Sequence, residues 1–258
     1  KGLGTLKLNS TKEYVDIYTS EFYLVDTYYR LTLEAYHELI TKECPIEQTL
    51  TSAKRQLDLG YAKISNILNI EWLACVEEKG NWFTETSLKR QEDFYANESD
   101  GSVKQVVIVS DALRYEVAKE LMQKLAKEKH IATIGAYQAM LPTETKYCKP
   151  ALLPHQSLEL NDTDIMVDGA VLTTTDQRTV HLGKYCDGAI CVRYEDVMNS
   201  DSQSMRELFK RPLVYIFHDT IDDAGHSQSP FDVINACRKA IDQLAVLVKR
   251  LHATWNVT

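Results

Sequence analysis

Apolar and aromatic side chains recur every three or four residues over 11–41, at Tyr14, Ile17, Tyr18, Phe22, Val25, Tyr28 and Leu31 and then Leu33, Tyr36 and Leu39, the spacing of a helix face. The pattern predicts one or two helices ending before Pro45. From Pro45, a residue suited to a first helical turn, the period continues through Leu57, Tyr61, Ile64 and Leu68 to about Val76, with Gly60 as a point of bending. A third helix is expected over 84–95, and the polar run 97–101 reads as a linker. Residues 1–100 thus read as an all-helical N-terminal region.

Beyond Gly101 the pattern changes to short β-branched runs alternating with helical stretches. Strands are expected at 106–109, 131–137, 165–167, 189–192 and 214–217, and helices at 114–128 and 231–251. Strands separated by helices of this length argue for an α/β fold in 101–258, a mostly parallel central sheet flanked by helices. Phe231, Ile234, Ile241, Leu244, Val248 and Leu251 form one stripe, so the last helix should pack on that sheet.

Composition narrows the class. The 258 residues are 44% hydrophobic and 26% charged, ordinary for a globular chain. No apolar run approaches the ~20 residues that span a bilayer, so no membrane partner is expected and the chain reads as cytoplasmic. Its net charge of −8 is not that of an autonomous nucleic-acid binder, although divalent metals can supply the positive charge that a phosphodiester requires. Six cysteines without a C-x-x-C pair read as reduced packing thiols, which leaves oxygens and imidazoles to hold any metal. The chain starts at Lys1 and stops where a strand could begin at Val257-Thr258, so a parent protein is expected to continue on both sides.

Candidate chemistry gathers at strand ends. Asp111 and Asp222 each follow a buried-looking strand, at the rim where open parallel sheets place ligands. Asp111 fits equally the cap of a helix beginning near Leu113. Asp222 and His226, four apart with Gly225 between, can turn a carboxylate and an imidazole to one cation, or can be an exposed helix start. Thr145 lies in Pro142-Thr143-Glu144-Thr145, where either threonine could be a helix cap; a threonine hydroxyl needs a metal to become a nucleophile. Arg114 could contact a phosphate or pair with Glu116, and His218 could touch substrate or support a ligand. Cys148-Lys149-Pro150-Ala151 imitates the start of a sulfatase motif, but Leu152 stands where its arginine belongs and an inert thiol fits better.

In order and spacing, the segments around Asp111, Thr145 and Asp222-Asp223-Ala224-Gly225-His226 resemble the alkaline phosphatase superfamily. Ser110-Asp111-Ala112-Leu113-Arg114-Tyr115-Glu116-Val117-Ala118 and Ala151-Leu152-Leu153-Pro154-His155 are similar to the PglZ branch found in bacterial BREX phage-defence systems, a likeness running from about Tyr14 to the end. The resemblance implies a metal-dependent phosphohydrolase, more a phosphodiesterase than a monoesterase, with Thr145 as nucleophile and Thr143 as the competing candidate. It implies two divalent metals, zinc first with manganese or magnesium as alternatives, held by Asp111 and Thr145 and by Asp222 and His226. Arg114 and His218 would be substrate contacts. Many PglZ relatives carry Asp where this chain has His226, which leaves the metal open. The partners implied are a phosphodiester, with nucleic acid as one case, and other BREX proteins. An Asp-His pair that completes the superfamily's sites would fall beyond Thr258, so this span alone should bind metal weakly. The rival class is a non-catalytic scaffold of the same fold that docks partners through the tyrosines of its helical third.

Overall fold

The computed structural model describes residues 7–42, 44–80, 86–161, 163–226 and 229–255. Ser10 opens α1 (Thr11–Ile17) by accepting the Glu13 amide on its hydroxyl at 3.2 Å. A π-helical turn, Tyr18–Phe22, joins it to α2 (Tyr23–Ile40). The turn widens where Thr19 and Ser20 direct their hydroxyls back to the carbonyls of Val15 and Asp16, at 2.8 and 2.7 Å, in competition with the helical ladder. Helix α3 (Glu47–Lys79) runs unbroken through Gly60. Pro45 stays in the turn before it, and the helix ends at Gly80, whose φ of 63° suits a left-handed terminator.

The helix expected over 84–95 does not form as such. Residues 84 and 85 lie outside the described residues, Ser87 takes a φ of 55°, and Lys89–Arg90 is a short strand, β1. A 3₁₀ turn at Gln91–Asp93 and the short helix α4 (Phe94–Glu98) follow. The chain continues through β2 (Gln105–Ser110), α5 (Tyr115–Lys127) and β3 (Tyr137–Gln138). Residues 131–136, expected as strand, are irregular, and Ile131 is fully exposed. Only Tyr137 and Gln138 pair, in parallel with Lys89 and Arg90, a contact between distant segments that local periodicity does not encode. Next come α6 (Thr145–Ala151), β4 (Leu158–Leu160), β5 (Ile165–Val167), β6 (Ala170–Val171) and α7 (Thr175–Gly183). They are followed by β7 (Ile190–Arg193), α8 (Tyr194–Asn199), α9 (Ser202–Leu208), β8 (Leu213–His218), α10 (Thr220–Gly225) and α11 (Pro230–Trp255). Val257 and Thr258 lie outside the described residues.

The chain divides into two compact units that interleave along the sequence: residues 1–88, 114–136 and 225–238 form one, residues 89–113, 137–224 and 239–258 the other. The boundary expected at 100 divides the chain in sequence only. The first unit is helical and is held by polar pairs inside it. Tyr29 stacks on Tyr61 at 3.8 Å and donates to Asp58, while Tyr18 and Tyr61 both donate to Asp26. Tyr14 is buried edge-on to Trp72, and Tyr28 is exposed, so most of the tyrosine stripe is spent on internal contacts. Arg30 of α2 grips Glu116 of α5 through Nε and Nη2, at 2.9 and 3.0 Å, and also donates to Glu120.

The second unit is built on a parallel sheet of order β2-β8-β7. Its central strand β8 is buried at every residue, which explains the continuous apolar run Leu213-Val-Tyr-Ile-Phe217. The strand period of two divides those side chains between faces. Leu213, Tyr215 and Phe217 join Leu153, Leu182 and Cys191 in one core. Val214 and Ile216 join Val197, Phe209, Leu247 and Leu251 in the other. The carboxyl half of α11 therefore packs on the sheet, as its apolar stripe predicts. Residues 165–167 are strand as expected, but in a separate antiparallel sheet of order β4-β5-β6. No helix among the described residues is long and apolar enough to cross a membrane, and the six cysteines are free.

Candidate functional site

Because β2 and β8 are adjacent and parallel, with Ser110 opposite His218, the residues that follow them share one rim of the sheet. Asp111 follows β2, and its amide donates to the His218 carbonyl at 2.9 Å. The chain then turns sharply through Ala112, whose φ of 58° is strained for a residue with a Cβ. That turn lets Asp111 Oδ1 accept the Ala112 amide at 2.9 Å. The cap position of α5 belongs to Arg114, without a side-chain capping bond. Asp111 is thus not a helix cap, and its Oδ2 is left to face the rim.

Two side chains of α6 meet that oxygen. Thr145 donates its hydroxyl to Asp111 Oδ2 at 3.0 Å, and Lys149 Nζ lies 3.0 Å from the same atom. Positions i and i+4 share a helix face, so Thr145 and Lys149 point the same way. Glu144 occupies the N-cap of α6 and makes no capping bond, so neither Thr143 nor Thr145 is the cap. Lys149 Nζ also reaches Asp219 Oδ1 at 2.7 Å, and Asp219 is the residue between β8 and α10. The lysine side chain is only 10% exposed, against 20% for Asp111 and 31% for Asp219. Burial by itself would lower the ammonium's pKa, but Asp219 and Asp111 together outweigh it and raise the group above its ordinary range. The neighbouring Cys148 thiol is pushed up by burial and stays protonated, in keeping with an inert residue.

His218 is fully buried behind this rim. Gln243 Oε1 accepts from Thr220 at 2.9 Å and lies 3.0 Å from His218 Nε2, so the proton belongs on Nε2. Nδ1 then accepts from Ser110 at 2.9 Å, and the ring meets Tyr194 edge-on at 4.8 Å. His218 thereby ties the ends of β2 and β8 to α11 and supports the rim from beneath. Arg114 belongs to the helical unit, where its Nη2 lies 3.7 Å from Cys237 Sγ; Glu116, its expected partner, is held by Arg30. Asp222 is half-buried in the first turn of α10, and His226 is exposed in the turn that follows.

Sequence reasoning met Lys149 only inside the false sulfatase motif and did not single out Asp219. The available signal was the Thr-x-x-x-Lys spacing from Thr145. Around Lys149 Nζ the donors are two carboxylates and, through the shared Asp111 oxygen, a hydroxyl. These are hard oxygens, the donor type that divalent cations take. Among the described residues no group of three or more His, Cys, Asp or Glu side chains is gathered closely enough to hold a metal ion, so the donor type fits while a full ligand set is not preassembled.

The model of the BREX system PglZ alkaline phosphatase-like domain matches residues 93–258. The chain is 29% identical over 251 residues, 93% of its length, to the alkaline phosphatase-like protein PglZ of Bacillus cereus (strain H3081.97). It is 35% identical over 158 residues, 57% of its length, to the alkaline phosphatase-like protein BrxZ of Escherichia coli O9:H4 (strain HS). It spans 29% and 18% of those relatives' own lengths. The chain belongs to the PglZ alkaline phosphatase-like family.

Proposed function

We propose that this PglZ-family chain carries the nucleophile of a metal-dependent phosphohydrolase, acting on phosphodiesters within a BREX phage-defence assembly. The observation that carries the reading is the 3.0 Å contact between Thr145 Oγ1 and Asp111 Oδ2 at the carboxyl rim of the sheet, on the residues that the family resemblance singles out. Asp111 and Thr145 would hold one divalent ion, zinc, manganese or magnesium, and Asp222 and His226 a second. When bound, such ions lower the pKa of a coordinated hydroxyl and neutralise phosphoryl charge.

The chain's own residues then act as follows. Thr145 sits at the first position of α6 with its hydroxyl proton directed at Asp111, which fixes the oxygen's lone pairs away from that carboxylate. Its oxygen attacks phosphorus as its proton passes to Asp111 Oδ2, the Oγ–P bond forms, and the P–O bond to the leaving group breaks, the departing oxygen taking up that proton to leave as an alcohol. The resulting phosphothreonine is released by water, which restores the hydroxyl. His218, Ser110 and Gln243 keep the two strand ends in register while this happens.

The test uses the longer parent protein with zinc, manganese or magnesium on generic phosphodiester and monoester substrates. Thr145→Ala should reduce metal-dependent hydrolysis by about 10³-fold or more, about 4 kcal/mol in barrier. Full metal-dependent activity in that variant overturns the assignment, and absence of metal-dependent turnover from the parent protein favours a scaffold.

A further inference from the structure

Lys149 delivers a positive charge to the very oxygen that the proposed reading gives to a metal. Its Nζ is 3.0 Å from Asp111 Oδ2, which also receives the Thr145 hydroxyl at 3.0 Å, and 2.7 Å from Asp219 Oδ1. We propose that the Lys149 ammonium is the built-in counter-cation of the Asp111 site, which a divalent ion must displace to bind. This inference rests on the reading of Asp111 as a metal ligand.

Three features carry it. An ammonium and a divalent ion both in contact with Asp111 Oδ2 would repel at close range, so the two compete for that oxygen. Asp111 and Asp219 come from separate strand ends, and the ammonium between them offsets the mutual repulsion of these two partly solvated carboxylates before metal arrives. Lysine is suited to leaving, since its charge is a compact point on a flexible four-carbon stem rather than a rigid fork. The stem is anchored on α6, one turn from Thr145, so a displaced ammonium stays within reach of a phosphate bound at the nucleophile. Weak metal loading is therefore a property of this chain's own residues, in addition to any ligand supplied by the rest of the parent protein.

The experiment titrates Mn²⁺ alone into the full-length parent protein by calorimetry, with circular dichroism as the check on folding. Lys149→Met and Lys149→Gln remove the charge and should bind Mn²⁺ at least tenfold more tightly than the unmodified protein. Lys149→Arg keeps the charge and should show no such gain, and Asp111→Asn should weaken binding. Should Lys149→Met not fold, Lys149→Gln, which retains a hydrogen-bond donor, decides. If folded charge-removing variants bind Mn²⁺ no more tightly while Asp111→Asn abolishes binding, the counter-cation is wrong and the metal site survives. If neither the parent protein nor these variants bind Mn²⁺, both this inference and the proposed function fall.

Discussion

Each unit buries a cation between two carboxylates, and the two arrangements are put together differently. In the helical unit Arg30, 3% exposed, meets Glu116 and Glu120, which lie one turn apart on the single helix α5, and Glu116 is fully buried. In the α/β unit Lys149 meets Asp111 and Asp219, which come from the ends of two neighbouring strands, and both carboxylates keep contact with solvent. Arg30 engages Glu116 bidentately, with its planar fork matched to the acceptor, and its charge is permanent. Burial alone would lower the guanidinium's pKa, but Glu116 and Glu120 outweigh it and drive it still higher. Lys149 offers a single point charge on a flexible stem. One triad is closed by one helix pair and serves to hold it; the other gathers three elements, α6, β2 and β8, at the rim of a sheet and leaves a hydroxyl beside it. Charge inventory alone does not tell a staple from a site. The number of elements that converge, and whether the carboxylates are reachable, does.

The sharpest way to break this comparison is to remove each cation in turn. Arg30→Ala leaves Glu116 buried and unpaired, and removing one partner of a buried ion pair costs about 3–5 kcal/mol. In a chain of this size that corresponds to a fall of roughly 10 °C in thermal midpoint. Lys149→Met leaves two partly solvated carboxylates, which water can screen, so its cost should stay near 1 kcal/mol. Denaturant and thermal unfolding of the two variants side by side provide the measurement. Equal losses would mean that Lys149 is as much a staple as Arg30, and the distinction drawn between the units would not stand.

What was legible in the residues follows the same division. The sheet strands β2, β7 and β8 and the helices α5 and α11 stand out because their signals are local: β-branched runs and a 3.6-residue period read without knowledge of partners. Asp111 was picked out for a related reason, since a polar residue directly after an apolar strand falls at the carboxyl rim of a parallel sheet, whereas Thr145 was singled out only by the family resemblance. Non-local features were not visible. Lys89 and Arg90 become strand through pairing with Tyr137 and Gln138, and no period over 84–95 announces that. The antiparallel sheet could have been found, since Asp168-Gly169 is a two-residue hairpin signal, and both residues adopt positive φ, 50° and 76°, between Val167 and Ala170. Lys149 went unread because its partners are far away in sequence, and only the folded rim brings Asp219 to the other side of its ammonium.

A carboxylate outside both triads sharpens the comparison by showing what holds an acid when no lysine or arginine is present. Asp168 accepts the backbone amides of Gln156 and Ser157 at 2.8 and 2.9 Å and the Tyr185 hydroxyl. Burial pushes its pKa up, but Tyr185, Ser157 and Gln156 outweigh burial and bring it down to about 2. The phenol opposite is pushed up to about 12, by burial and then by Asp168, so it remains a donor throughout the acid range. His181 Nε2 lies 3.9 Å from Asp168 and is already engaged with the Pro154 carbonyl at 2.7 Å. Because the folded pKa is depressed, the stabilisation is fully present above about pH 4, the unfolded value, and is lost as pH falls through about 2. Allowing for partial solvent screening it amounts to about 1–2 kcal/mol, less than the Arg30 clamp. Asp168→Asn should therefore lower the thermal midpoint at pH 5 by about 4 °C, and the gap to the unmodified protein should close as both approach pH 2. A gap that stays constant from pH 5 to pH 2 would mean that the carboxylate's charge contributes nothing at this turn. The β5–β6 hairpin would then owe its stability to backbone geometry, and a half-buried acid without a lysine or arginine partner would no longer be a fair reference for the two caged cations.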